Sequence, residues 1–120
     1  IAGPESRGFI FGSMVADRMG LGFIPIRKPG KLPHTVISEE YELEYGSNAL
    51  EIHMDAVGPS DRIVILDDLL ATGGTVAATA NLCKRLGAEV LGAMFLIELE
   101  GLDGAKNTGI ETHSLLSYPA

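Results

Sequence analysis

Two adjacent carboxylates and a stretch rich in glycine and threonine are the residues of this sequence best suited to chemistry. Asp67 and Asp68 follow a branched apolar run, and Ala71-Thr72-Gly73-Gly74-Thr75 begins three residues later. Backbone N–H groups at the start of a helix attract anions, glycines let the chain approach a phosphate closely, and threonine hydroxyls add donors. Two carboxylates at the carboxyl end of a strand can accept hydrogen bonds from neighbouring ribose hydroxyls. Together these residues predict a site for ribose 5-phosphate.

The same stretch disfavours two other classes of nucleotide site. It has neither the lysine of a Walker phosphate loop nor the glycine spacing of a dinucleotide-binding fingerprint. It therefore predicts neither nucleoside triphosphate hydrolysis nor NAD binding. The alternative without a catalytic role is an Asp-Asp pair that caps a turn at the end of a strand.

The apolar pattern predicts the elements that must position these residues. Apolar runs predict strands at residues 1–3, 22–26, 62–66, 90–97 and 111–118. Helical spacing predicts two helices, one with apolar residues Phe11, Met14, Val15 and Met19 and one with the inner stripe Val76, Thr79, Ala80, Cys83 and Leu86. Gly20 and Gly87 suit the two helix ends. Alternating strands and helices predict an α/β fold with a parallel sheet, in one domain over residues 1–120.

A polar segment between the second and third strands predicts an exposed β-hairpin. Residues 35–45 and 50–54 alternate apolar and polar side chains, carry many carboxylates and flank Gly46-Ser47-Asn48. The hairpin with its flanks spans about residues 33–56.

Composition and charge limit the partners and the setting. With 16 acidic and 9 basic residues the net charge is -7, which lacks the basic footprint of a nucleic-acid binder. The apolar runs fall short of the ~20 residues that cross a bilayer, so we expect no membrane partner. No basic, apolar leader opens the sequence and its one cysteine, Cys83, cannot form an internal disulfide, which predicts a cytoplasmic protein. His34, His53 and His113 show no metal-ligand spacing.

The run from Val64 to Thr75 resembles the signature of the type I phosphoribosyltransferases, in which a branched apolar strand, two acidic residues and a Thr-Gly-Gly-Thr loop follow one another. Agreement over this whole run disfavours the turn-capping alternative. Three further segments resemble the adenine-specific members of the family. They are Glu5-Ser6-Arg7-Gly8-Phe9, Ile26-Arg27-Lys28-Pro29-Gly30-Lys31-Leu32-Pro33 and Tyr41-Glu42-Leu43-Glu44-Tyr45-Gly46.

The resemblance assigns pyrophosphate binding to cations in two loops. Arg7 and its neighbours would form the pyrophosphate loop, Arg27 and Lys31 would bind the pyrophosphate of phosphoribosyl pyrophosphate, and Lys28 is the weaker candidate beside them. Four cations in two loops of an acidic chain suit a polyanion, and arginine binds phosphate with a bidentate fork. The alternative is an ordinary solvated loop, which is the usual place of lysine and arginine.

The resemblance also implies that the hairpin is a lid over the reacting centre. Glu44 would lie near the base and the bond being made, and Tyr45 would pack beside it. Glu98 and Leu99, at the end of a central strand, match family positions beside the purine. The alternatives are an ordinary surface hairpin for Glu44 and a solvated strand end for Glu98.

The reaction implied is transfer of the phosphoribosyl group to adenine, giving AMP and pyrophosphate in purine salvage. Glu44, Asp67 and Asp68 would be the catalytic carboxylates, and Mg2+ the cofactor, because it bridges substrate phosphates to few carboxylates. We expect no metal site built from protein ligands alone. Lid closure would keep water from the reacting carbon.

Further expectations concern the start of the sequence and its assembly. Ile1-Ala2-Gly3 resembles the tail of a strand, and family members carry an N-terminal portion that completes the sheet and forms a hood over the base, so we expect that portion to be absent here. The family is dimeric, and we expect a homodimer. Two other functions stay open: a non-catalytic regulatory protein that binds phosphoribosyl pyrophosphate or nucleotide, and a folded but catalytically impaired fragment.

Overall fold

The computed structural model of the chain describes residues 1–43 and 46–120 and contains seven strands and three helices in those ranges. In chain order they are β1 (Ala2–Pro4), α1 (Arg7–Met19), β2 (Ile24–Ile26), β3 (Val36–Leu43), β4 (Gly46–His53), β5 (Arg62–Leu70), α2 (Gly74–Arg85), β6 (Glu89–Glu100), α3 (Gly104–Thr108) and β7 (Thr112–Pro119). No helix in this part of the chain is long and apolar enough to cross a membrane.

Five strands form one parallel sheet in the order β2-β1-β5-β6-β7. The two remaining strands, β3 and β4, pair antiparallel in a separate hairpin, from Val36 opposite His53 to Leu43 opposite Gly46. The predicted α/β fold with a parallel sheet and a separate β-hairpin is therefore confirmed, although the hairpin is not wholly exposed, because β4 packs against the core.

The central strand β5 is longer than the sequence pattern predicted. Its adjacent residues Ile65 and Leu66 point to opposite faces of the sheet and are both buried, as expected for a strand covered on both faces. We expected the strand to end at Leu66, but pairing with β6 continues from Asp67 to Leu70. The prediction was wrong because the acidic pair interrupts the apolar pattern without interrupting the backbone ladder. Asp67 and Asp68 therefore lie on the strand, near its carboxyl end.

The main hydrophobic core joins the sheet to α2 and the hairpin. Val76, Thr79, Ala80 and Cys83 of the predicted inner stripe of α2 are buried, while Leu86 packs partly buried against the core. The hairpin contributes Leu50 and Ile52 from β4. Burial raises the pKa of the Cys83 thiol to about 11, so this cysteine is a core residue with no acidic thiol to offer catalysis.

Helix α1 ends where the sequence predicts, but most of the apolar residues that indicated it are not buried. It runs to Met19 and ends at Gly20 in the left-handed conformation, as predicted. Phe11, Met14 and Met19, however, are exposed, and the buried positions are Gly8, Gly12 and Ala16. A Cβ on Gly12 would lie 2.7 Å from the ring of Phe23, so the small residues allow the helix to approach its neighbours closely. Apolar spacing indicated the helix, whereas side-chain size decided its inner face.

Helix α3 had no counterpart among the predicted elements. It is five residues long and is preceded by Asp103 at φ 55 and followed by Gly109 at φ 70, both in the left-handed region. Its interior carries no apolar repeat long enough to predict a helix, and its stability comes from packing against α2 and β6.

Candidate functional site

A cleft of about 350 Å³ opens at the carboxyl ends of β1 and β5, beside the start of α2. Sheets of this kind place ligands at this edge. Of the predicted site residues it is lined by Arg7, Lys28, Asp67, Asp68, Ala71, Thr72, Gly73, Gly74 and Thr75. Residues from three separate predicted segments thus meet in one cavity.

The phosphate loop, residues 71–75, leads directly into α2. Gly73 adopts φ 89, which a residue with a side chain rarely adopts, and it occupies the position before the helix. The first backbone hydrogen bond of the helix runs from the N–H of Ala77 to the carbonyl of Gly73. The N–H groups of Gly74, Thr75 and Val76 therefore have no partner within the helix and can donate to an anion.

Helix α3 contacts the phosphate loop and supports it. The Nδ2 of Asn107 donates to the carbonyl of Thr72 at 3.0 Å. A Cβ on Gly104 would clash with the carbonyl oxygen of Ala71, so only glycine permits this approach. Neither residue was predicted from the sequence, because a contact across 35 positions leaves no local pattern.

The two carboxylates of the acidic pair have different environments. The backbone N–H of Asp68 donates to Oδ1 of Asp67 at 2.8 Å. Burial is the main cause that raises the pKa of Asp67 to about 7. The hydrogen bond from the N–H of Asp68 lowers this pKa, the side chain of Asp68 raises it further, and the charge of Arg7 lowers it slightly. A carboxyl with this pKa exchanges its proton near neutral pH.

Asp68 is engaged by a cation. The Nε of Arg7 donates to Oδ2 of Asp68 at 2.6 Å, with 67% of the Arg7 side chain and 21% of the Asp68 side chain exposed. A residue predicted to bind pyrophosphate is thus paired with a residue predicted to bind ribose hydroxyls.

The other predicted cations are arranged around Glu5, whose side chain is only 8% exposed. Arg27 and Lys31 form ion pairs with Glu5 at 3.2 and 3.5 Å. They do not line the cleft, whereas Lys28, the weaker candidate from sequence, does. The carboxylate of Glu5 was not singled out from the sequence, since an acidic residue in an anion site runs against charge complementarity.

The hairpin borders the cleft through its first strand. Tyr41 and Glu42 line it, and a Cβ on Gly74 would lie 3.2 Å from the Tyr41 ring. The predicted catalytic Glu44 and the predicted lid residue Tyr45 lie outside the described residues.

The two residues predicted to lie beside the purine are on β6 and do not themselves line the cleft. Glu98 pairs with Leu70 and with Ser117 in the sheet, and its Oε1 accepts a hydrogen bond from the hydroxyl of Ser114 at 3.2 Å. Leu99 follows it on the same strand. Their role beside the base stays a prediction.

A parallel sheet with an acidic pair, a phosphate loop at a helix start and clustered cations defines a class of ribose phosphate-binding proteins. The family described as "Phosphoribosyl transferase domain" matches residues 1–113, and the chain belongs to this family.

The relatives identify the branch of the family. Adenine phosphoribosyltransferase of Desulfitobacterium hafniense (strain Y51) is 58% identical over 119 residues, which cover 98% of this chain and 69% of the relative. The enzyme of the same name from Alkaliphilus metalliredigens (strain QYMF) is 59% identical over 119 residues, 98% of this chain and 70% of the relative. This chain is a member of the adenine phosphoribosyltransferase branch.

Solved structures agree with this assignment. Adenine phosphoribosyltransferase from Thermoanaerobacter pseudethanolicus has a TM-score of 0.95 and 55% identity, with 98% of this chain and 69% of that chain covered. The Trypanosoma brucei enzyme in complex with AMP, pyrophosphate and ribose-5-phosphate has a TM-score of 0.89 and 26% identity, with 97% and 54% covered.

Proposed function

We propose that this protein transfers the phosphoribosyl group of phosphoribosyl pyrophosphate to adenine, giving AMP and pyrophosphate. The observation that carries the proposal is the single cleft in which the phosphate loop, the acidic pair, Arg7 and Lys28 meet. The choice of adenine as the base rests on the relatives, since the Trypanosoma brucei adenine phosphoribosyltransferase is in complex with AMP, pyrophosphate and ribose-5-phosphate.

The phosphate loop and the acidic pair would bind the half of the substrate that is retained. The free N–H groups at the start of α2 suit the 5-phosphate. Asp67 and Asp68 would accept hydrogen bonds from the ribose hydroxyls. Because adenine attacks the anomeric carbon as the pyrophosphate leaves, positive charge develops on the ribose, and nearby carboxylates stabilise it. Glu44 of the hairpin is proposed to act beside the same bond.

The predicted cations would bind the pyrophosphate, which is the half of the substrate that leaves. Arg7 and Lys28 line the cleft, and Arg27 and Lys31 lie next to it around Glu5. As the pyrophosphate departs it gains negative charge, so these cations bind it more strongly in the transition state than in the ground state.

Mg2+ is proposed as the cofactor, and the donor set fits it. No group of three or more His, Cys, Asp or Glu side chains is placed to hold a metal among the described residues. Two carboxylates together with substrate oxygens suit an ion that keeps several waters. When bound, Mg2+ neutralises charge on the pyrophosphate.

The hairpin is proposed to act as the lid. Arg85 of α2 donates to the carbonyl of Ser38 and forms a 3.2 Å ion pair with Glu39, which anchors the base of the hairpin to the helix that begins at the phosphate loop. A closed lid would exclude water and favour transfer over hydrolysis.

We propose that the protein forms a homodimer and is located in the cytoplasm. Ile10, Phe11 and Met14 share the outward side of α1 and are 59%, 38% and 63% exposed. Apolar residues grouped in this way favour an interface between copies.

The test is AMP formation from adenine and phosphoribosyl pyrophosphate with Mg2+, with guanine and hypoxanthine as alternative bases. We expect turnover with adenine alone and its loss in the double variant Asp67→Asn Asp68→Asn. The matched control is Asp61→Asn, a carboxylate that accepts the N–H of Gly58 outside the cleft lining. Phosphoribosyl pyrophosphate binding without turnover of any base would contradict the proposal and would fit either the catalytically impaired fragment or the regulatory protein.

A further inference from the structure

The carboxylate of Glu5 contacts three donors of the segment 27–31. Its Oε1 accepts hydrogen bonds from Nε of Arg27 at 3.2 Å and from the backbone N–H of Lys28 at 2.8 Å. Its Oε2 lies 3.5 Å from Nζ of Lys31. One buried carboxylate thus fixes an arginine, a lysine and the backbone between them.

The aromatic ring of Phe9 holds the same arginine from another side. The guanidinium carbon of Arg27 lies 5.8 Å from the centre of that ring, which is within the range of a cation–π contact. The ring is itself held edge-on by Phe23, with centres 5.9 Å apart. Nε of Arg27 faces Glu5, and its two terminal nitrogens make no hydrogen bond with residues 1–43 or 46–120, so they can bind an anion in a fork.

Glu51 fixes the segment from the hairpin. Its Oε1 accepts the N–H of Gly30 at 3.0 Å, its Oε2 accepts the hydroxyl of Ser38 at 2.7 Å, and its backbone exchanges two hydrogen bonds with Arg27. Glu5 and Glu51 thus hold the segment 27–31 through contacts within the protein.

We propose that Glu5, assisted by Phe9, is a positioning residue that holds the segment 27–31 in its pyrophosphate-binding arrangement. This proposal rests on the function proposed above and adds a role to it. The competing physical effect is repulsion, because a carboxylate near a pyrophosphate disfavours binding. Positioning outweighs repulsion here, since the Glu5 side chain is 8% exposed and both of its oxygens face cations or an N–H donor.

The charge state of Glu5 agrees with this role. Burial alone would raise its pKa, but the hydrogen bonds from the N–H of Lys28 and from Lys31 and Arg27, with the Lys31 charge, lower the pKa below its ordinary value. The carboxylate is therefore ionised at neutral pH and keeps its partners in place.

The experiment measures binding of inorganic pyrophosphate with Mg2+ to the full chain by calorimetry. We expect Glu5→Gln to bind pyrophosphate about tenfold more weakly, because it loses charge-assisted hydrogen bonds that order the segment. Its affinity for AMP should stay unchanged, since AMP occupies the phosphate loop and the acidic pair. In turnover, KM for phosphoribosyl pyrophosphate should rise more than kcat falls.

Two further variants keep the test decisive. Phe9→Leu retains an apolar side chain but removes the ring face, and should weaken pyrophosphate binding about threefold. Asp61→Asn, which removes a carboxylate that accepts a 2.8 Å backbone hydrogen bond, should leave pyrophosphate binding unchanged. If Glu5→Gln does not fold, as judged by thermal melting, Phe9→Leu carries the test.

The outcomes separate this proposal from the proposed function. A wild-type chain that forms AMP, with Glu5→Gln binding pyrophosphate equally or more tightly, overturns the positioning role alone. A general loss of affinity for both AMP and pyrophosphate would show a purely structural role and would also overturn it. A wild-type chain that binds pyrophosphate but forms no AMP would contradict the transferase and leave the role of Glu5 measurable.

Discussion

The Nε of Arg7 lies 2.6 Å from Oδ2 of Asp68. This contact joins the cation at the start of α1 to the acidic pair on β5, two segments that are predicted to bind opposite halves of one substrate. Both groups remain partly exposed, so the pair contributes less than about 1 kcal/mol to stability. Its importance therefore lies in binding, because the substrate must compete with it for both side chains.

Replacement of Asp68 by Asn should separate stability from binding. We expect Asp68→Asn to change the free energy of unfolding by less than about 1 kcal/mol, since the ion pair is exposed to solvent. Affinity for ribose 5-phosphate should fall about tenfold, since the asparagine loses a charged acceptor for a ribose hydroxyl. Urea denaturation and calorimetry measure the two effects. A large loss of stability with unchanged affinity would contradict this reading.

The pKa of Asp67 predicts a pH dependence of stability. Its folded value of about 7 lies above the ordinary value of 3.8, so the folded state binds the proton more tightly than the unfolded chain. The favourable contribution is full below about pH 4, declines as the pH rises through 7, and is absent above it. We expect Asp67→Asn to remove this decline, as measured by urea denaturation at pH 5, 6, 7 and 8.

The matched control is Asp61→Asn, which should keep the decline of the wild type because that carboxylate lies in a loop before β5. Parallel pH profiles for wild type and Asp67→Asn would show that the titration of Asp67 does not affect folding.

The sequence predicted the parts of the site that are local. The phosphate loop and acidic pair are contiguous, so their residue types indicated both the strand and the helix start around them. The features that the sequence could not predict depend on contacts between residues that are far apart along the chain. Gly104 and Asn107 contact the loop from α3, and Glu5 gathers cations more than twenty positions away. The inner face of α1 was missed for the same reason, because close packing selects Gly12 over a larger apolar residue.

Replacement of Gly104 by Ala should disturb the phosphate loop. The added methyl group would meet the carbonyl of Ala71, and such overpacking costs about 1–3 kcal/mol of stability. Because that carbonyl belongs to the loop, AMP affinity should also fall. The control is Gly22→Ala, whose added Cβ has no neighbour within 4 Å. Thermal melting and AMP titration of both variants measure the effect, and equal behaviour would refute a role for α3 in supporting the loop.

Removal of the Asn107 amide tests the same support without overpacking. Asn107→Ala loses the hydrogen bond to the carbonyl of Thr72, which contributes about 1 kcal/mol. We expect AMP to bind several-fold more weakly, while pyrophosphate binding at the segment 27–31 stays unchanged. A uniform loss of both affinities would indicate general unfolding.

The exposed apolar side of α1 predicts how copies of the chain associate. Met14 is 63% exposed, and a glutamate there would place a charge within an apolar interface. We expect Met14→Glu to convert the proposed homodimer to a monomer in sedimentation velocity, while the helix itself persists because the residue faces outward. Met54→Glu makes the same substitution at a methionine that is 51% exposed after the hairpin, and it should remain dimeric. A wild-type monomer, or a Met14→Glu variant that stays dimeric, would exclude this side of α1 as the interface.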